Sequence, residues 1–103
     1  MRFDVFTIFP QMFSGFLSES ILKRAQQKGL IEIALHNIRD WTTDKHRTVD
    51  DTPYGGGPGM VMMAPPIVHA VEDVLGSELA TTPVIILSPS GEVFTQEVAR
   101  DLV

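Results

Sequence analysis

Apolar positions fall in distinct runs along this 103-residue chain, and their spacing predicts its elements. Residues 2–9 carry Phe3, Val5, Phe6, Ile8 and Phe9, apolar side chains on both faces, as in a strand buried in the middle of a sheet; Pro10 ends it. From Ser18 to Lys28, Ile21, Leu22 and Ala25 lie at helical spacing, with Ser18 placed to cap the start and Gly29 to follow the end. The opposite face of that helix is basic, with Lys23, Arg24 and Lys28. Residues 30–36 set Ile31, Ile33 and Leu35 against Glu32, Ala34 and His36, which predicts a half-buried strand near a sheet edge with His36 turned to water. Pro65 and Pro66 suit the first turn of a helix whose buried face is Ile67, Val68, Val71, Val74 and Leu75, closing at Gly76. The continuous run Val84 to Leu87 predicts a third strand, covered on both faces, followed by a turn at Ser88 to Gly91 and a last helix capped by Thr95. Strands alternating with helices place the chain in the α/β class, an open parallel sheet with flanking helices. Three strands make a narrow sheet, and the last helical pattern runs to Val103, so the expectation is a fragment or a chain that completes its core with a partner.

Between the second strand and the Pro65 helix lies a long stretch, Thr42 to Met62, with no periodic pattern. Its first half is polar and its second half contains Pro53, Gly55, Gly56, Gly57, Pro58 and Gly59, a backbone free to take positive φ and to let a ligand approach main-chain amides. Long loops inside compact domains are usually functional or disordered. Tyr54, Met60, Val61 and Met62, threaded through it, predict that this one docks.

There is no cysteine, so neither a disulfide framework nor a thiolate metal site is available, and no apolar run reaches membrane-spanning length; the expected location is the cytoplasm, with no membrane partner. The net charge of −5 argues against general affinity for phosphate backbones, but Arg39, Lys45, His46 and Arg47 form a local basic patch at the loop.

Ligands of open α/β sheets bind beyond the carboxyl ends of the strands. The Ser88–Gly91 turn follows such an end; its amides either hold a polar group of a small cofactor or form an ordinary strand-to-helix turn. The Gly55–Gly59 run lacks the Lys-Ser/Thr pair of a nucleoside triphosphate loop. Two readings of it stand, a side-chain-poor wall for a base with Tyr54 available for stacking, or a plain hinge. Asp44, His46, Asp50 and Asp51 are hard-ligand types, yet their spacing matches no metal motif, and no metal is expected. Met60, Met62 and Met63 read as packing residues, and Trp41 as an anchor for the loop against the core.

The segment Asp44-Lys45-His46-Arg47-Thr48-Val49-Asp50-Asp51-Thr52-Pro53-Tyr54-Gly55-Gly56-Gly57-Pro58-Gly59-Met60-Val61-Met62 closely resembles the signature of the bacterial tRNA (guanine-N1)-methyltransferase family. Phe9-Pro10-Gln11-Met12-Phe13, His36-Asn37-Ile38-Arg39-Asp40, Leu87-Ser88-Pro89-Ser90-Gly91 and Phe94-Thr95-Gln96 extend the resemblance, in order, over essentially the whole chain. Ser90 departs from a common glutamine, and Met63-Ala64 from a pattern that often includes lysine.

The resemblance implies the trefoil-knotted α/β fold of the SPOUT methyltransferases, with residues 1–103 as its amino-terminal part and the knot-forming half and carboxy-terminal tRNA-binding domain absent. It implies a homodimer that transfers a methyl group from S-adenosylmethionine to N1 of the guanine at tRNA position 37, beside the anticodon. By the same resemblance Ile86, Leu87, Ser88, Pro89, Ser90 and Gly91 form one wall of the cofactor pocket. Pro58 and Gly59 lie beside the cofactor and the target guanine, and His46 and Arg47 face tRNA. The family's base is an aspartate of the second half, so no catalytic residue is expected in this chain and the isolated chain is expected to be inactive. The rival readings are a non-catalytic module that binds RNA or a partner, and a small metal-dependent enzyme using Asp44, His46, Asp50 and Asp51.

Overall fold

The computed structural model describes all 103 residues. Two parallel strands, β1 (Arg2–Thr7) and β2 (Glu32–Asn37), pair in register from Arg2 against Glu32 to Thr7 against Asn37. Between them the chain runs through a 3₁₀ turn, Pro10–Phe13, and two short helices, α1 (Ser14–Leu17) and α2 (Ser20–Gln27). This is the β-α-β unit the periodicity predicts, with its boundaries moved. Ser18 does not cap α2; it ends α1 and its hydroxyl donates to the Gly15 carbonyl, so the capping role falls to no side chain. Gly29 closes α2 as expected: at φ +68° it lets its own N–H reach the Gln26 carbonyl while that of Leu30 reaches Ala25. Ile21 is exposed, and the inward face of α2 is instead Leu22, Ala25 and Gln26, whose amide donates back to the Leu17 carbonyl at 2.7 Å.

After β2 a second 3₁₀ turn, Ile38–Trp41, leads into the long loop, within which β3 (Asp50–Asp51) and β4 (Val61–Met62) form a short antiparallel ribbon. Helix α3 (Ala64–Leu75) starts with Pro65 and Pro66 in its first turn, as their fixed φ favours, and packs on the Ile38–Trp41 turn and on β1. The core is small. Ile38, Val49, Pro66, Ala70 and Leu75 are its only buried residues, three of them spaced along α3 and the other two in the turn after β2 and in the loop. Val68, expected inside, is exposed, and Ile67, Val71 and Val74 are half-buried.

The largest correction concerns the third strand. Val84 to Leu87 forms no ladder, and its side chains are exposed, Leu87 to 93%. An apolar run encodes a strand only where an open sheet edge and two covering layers receive it. Here the sheet stops at two strands, and residues 82–95 cross the surface without regular structure. Thr95 does cap the last helix, α4 (Gln96–Asp101), its hydroxyl accepting from the Val98 N–H. The radius of gyration is 15.9 Å, against about 13 Å for a compact domain of this length. Uncovered apolar surface agrees with that expansion: Phe3, Val5 and Ile33 from the sheet and Phe16, Leu17 and Leu22 from the helices line an open groove of about 400 Å3 with no polar residue. No helix is long and apolar enough to cross a membrane.

Candidate active-site segments

The polar half of the loop is ordered by its own bonds. Asp44 accepts from the Thr48 hydroxyl at 2.6 Å and the Thr48 N–H at 2.9 Å, and its carbonyl accepts from the Arg47 N–H at 3.2 Å. The bonds from Thr48, its hydroxyl foremost and then its N–H, hold the Asp44 carboxyl below the usual carboxylate range. Arg47 sits at φ +52°, a left-handed conformation unusual for a residue with a side chain. Val49 follows, 1% exposed, and its carbonyl accepts from the Met63 N–H at 2.8 Å across the β3–β4 ribbon. These two residues dock the loop. Tyr54, Met60, Val61 and Met62, the residues expected to do so, are exposed; of the ribbon and its flanks only Val49 is buried and Met63 half-buried. Trp41 anchors as expected: its indole N–H donates to Asp73 of α3 at 3.0 Å.

Beyond the ribbon the glycines take the positive φ that their sequence allows, +80°, +76° and +123° at Gly55, Gly56 and Gly57 and +90° at Gly59. A Cβ built on any of these would meet no atom within 4 Å, so the main chain from Gly55 through Pro58 to Gly59 is an open, side-chain-poor wall. The side chains of Lys45 and His46, in the turn before it, are exposed and form no hydrogen bond with the rest of the chain. Asp44, His46, Asp50 and Asp51 are not drawn together; no group of three or more such side chains is placed to hold a metal ion.

The second segment is Ile86 to Gly91. The Gly91 N–H, read from the sequence either as a donor to a cofactor group or as part of an ordinary turn, donates to the Ser88 carbonyl at 3.2 Å, and the Ser88 and Ser90 hydroxyls bond to each other at 3.0 Å. The turn therefore satisfies itself, and α4 begins only at Gln96, so the turn does not sit at its start. What remains open is the extended stretch before it. Ile86 is 80% exposed and Leu87 93%, and their backbone N–H groups have no partner in the chain. No hydrogen bond joins this segment to the glycine wall.

A third cluster escaped the sequence reading. His36, expected to face water, lies on the α3 side of the sheet, its side chain 19% exposed, stacked on Phe6 at 4.9 Å with Trp41 edge-on at 6.4 Å. Its Nε2 donates to Asp4 at 2.7 Å, and Arg2 pairs with the same carboxylate at 3.0 Å. The signal available was Asp4 itself, a lone acid amid the apolar residues of β1. Burial pushes the Asp4 carboxyl up, but the hydrogen bonds from His36 and Arg2 and the Arg2 charge outweigh it and hold the group below 3.8, its ordinary value. A lowered carboxyl pKa means that the folded state binds this proton less readily than the unfolded chain. Its stabilisation is therefore complete above 3.8 and lost as pH falls through the lower folded value. Asp4→Asn should cost about 1–3 kcal/mol at neutral pH and flatten the acid limb of stability, measured by denaturant unfolding between pH 7 and pH 2.

The family model described as tRNA (Guanine-1)-methyltransferase TrmD matches residues 1–103. A tRNA (guanine-N(1)-)-methyltransferase of Thermomicrobium roseum is 84% identical over 102 residues, 99% of this chain and 38% of that protein. One of Chloroflexus aggregans is 60% identical over 102 residues, 99% of this chain and 40% of that protein. The chain thus spans about two fifths of the length of these relatives. The crystal structure of the tRNA (m1G37) methyltransferase from Aquifex aeolicus matches with a TM-score of 0.85 at 36% identity, covering 99% of this chain and 45% of that one. The family model spans residues 1–103, and the backbone match covers 99% of the chain. The chain belongs to the tRNA (Guanine-1)-methyltransferase TrmD family.

Proposed function

We propose that this chain is the amino-terminal part of an enzyme that transfers a methyl group from S-adenosylmethionine to N1 of the guanine at tRNA position 37. The observation that carries the reading is the glycine wall: four glycines at positive φ and Pro58 present exposed main chain, with no atom near where a Cβ would stand on any of the four. Such a surface admits a flat base to van der Waals distance, which side chains would prevent. Pro58 and Gly59 are assigned to the guanine and to the adjoining edge of the cofactor.

S-adenosylmethionine, when bound, supplies a methyl group already activated by its positive sulfur. The residues of this chain fit one side of such a ligand. Ile86 and Leu87 offer apolar surface to a purine ring, and their unpartnered N–H groups offer donors to its ring nitrogens. Ser88 and Ser90, bonded to each other, and Gly91, bonded to Ser88, stiffen the end of that wall, with Pro89 in the turn between. Positioning is the main demand, since a well-oriented pair of reactants needs little else beyond removal of the guanine N1 proton. We assign that proton to a base outside this chain, and the remainder of the pocket to the rest of a cytoplasmic homodimer.

The test is transfer of labelled methyl groups to unmodified tRNA. Protein of the relatives' length carrying this sequence should modify tRNA with guanine at position 37 and spare the same tRNA with adenine there. The 103-residue chain alone should show no turnover. Transfer by the isolated chain, or equal transfer to the adenine variant, would sink the proposal.

A further inference from the structure

Arg39 and Arg47 bind each other's backbone. The Arg39 guanidinium donates through Nη1 to the Arg47 carbonyl at 3.0 Å, and the Arg47 guanidinium donates through Nε to the Arg39 carbonyl at 3.2 Å. The same Arg39 carbonyl accepts from the Thr42 hydroxyl at 2.7 Å, and Arg47 also pairs with Asp40. Arg39 is itself placed by its N–H, which donates to the Asn37 side chain at the end of β2. The result is a closed clasp from the sheet to the loop, with the turn Thr43–His46 as its tip.

Two features separate this clasp from an incidental surface pair. It is reciprocal, so each side chain holds the other residue's main chain, and it holds Arg47 in the left-handed conformation of φ +52°. A side chain in that region costs on the order of 1–2 kcal/mol and persists only where surrounding bonds fix it. The clasp also commits two nitrogens of Arg47, Nε to Arg39 and one terminal nitrogen to Asp40, and so fixes the direction of a side chain that stays half exposed. Lys45 and His46, exposed and with no side-chain hydrogen bond, are the groups of the tip that nothing in the chain holds.

We infer that Arg47 is a positioning residue whose clasp with Arg39 presents Lys45 and His46 to an RNA phosphate. This rests on the tRNA reading above, and it reassigns Arg47 from a direct contact to a support. Arginine suits this role better than lysine, because its planar fork holds a carbonyl and a carboxylate in fixed directions whereas an ammonium on a flexible stem fixes neither.

Two measurements on the full-length protein separate the outcomes. The first is amide exchange at Arg47 and Thr48, whose N–H groups are bonded to Asp44. Arg39→Lys and Arg47→Lys should each speed it about tenfold, and the double variant should be no faster than either single one, as one shared interaction requires. Unchanged exchange in Arg47→Lys would overturn the clasp, whatever the protein binds. The second is tRNA binding across salt concentrations. Lys45→Ala should lower the salt slope by about one phosphate contact, while Arg47→Lys, which keeps the charge, should weaken binding about as much as Arg47→Ala. Wild-type affinity in Arg47→Lys with a reduced slope in Arg47→Ala would make Arg47 the phosphate contact and overturn the assignment. Wild-type protein that binds tRNA without salt dependence would sink the RNA reading while the exchange result still judged the clasp.

Discussion

Val49→Asp should release residues 42–62 from the body of the fold while β1 and β2 stay paired. Val49 is 1% exposed, the most deeply set side chain of the loop, and its carbonyl accepts from the N–H of Met63, the residue before α3. An unpaired carboxylate there costs several kcal/mol, more than the loop's exposed bonds can return. The sheet, by contrast, rests on its own ladder and on the Asp4 cluster on the α3 side, neither of which touches Val49 through a hydrogen bond. Val49→Ala provides a graded version, with a loss of about 2 kcal/mol. Amide exchange reads both: protection of the Met63 N–H should collapse in Val49→Asp and fall in Val49→Ala, while the β1–β2 amides keep theirs. Retained Met63 protection in Val49→Asp would show that the loop is held elsewhere. Because the glycine wall continues from this anchor through β3, tRNA binding should fail in the same order.

How far the sequence predicts this fold depends on whether the information is local. Gly29 after α2, Pro65 and Pro66 at the start of α3 and Thr95 before α4 act through their own backbone angles or through bonds within one turn, and each does what its type dictates. The strand at Val84–Leu87 needs partners distant in sequence, and the chain leaves the run exposed. His36 fails for a related reason. Alternation along β2 separates its two faces, but only the register with β1 reveals that Asp4 and Phe6 await His36 on the second face. The loop divides the same way. Its glycines announce their positive φ, whereas the Arg39–Arg47 clasp pairs two residues eight positions apart that composition shows merely as a basic patch. The glycine wall and the Ile86–Gly91 segment were therefore legible as candidates, and what holds the basic tip in place was not.

Gly59→Ala and Gly57→Ala should lower methyl transfer by tenfold or more with little change in thermal stability. At φ +90° and +123° these two lie well outside the compact left-handed region that other residues can enter. Gly55 and Gly56, at +80° and +76°, lie nearer to it, and asparagine tolerates that neighbourhood. Since an added Cβ meets nothing within 4 Å at any of the four, clash within the chain cannot be the cause of a defect. The cost is backbone strain, about 1–3 kcal/mol, which the exposed loop relieves by shifting. A shift of that kind spares the core, so the midpoint of unfolding should hold. It displaces the wall from the base, and about 1.4 kcal/mol of lost population of the competent loop is already a tenfold loss in rate. Gly55→Asn and Gly56→Asn serve as the contrast, with losses of less than about threefold expected. If all four variants transfer methyl groups equally well, the main-chain wall does not touch the guanine. If Gly59→Ala instead lowers the unfolding midpoint by several degrees, the glycine belongs to the fold's stability and not to its substrate surface.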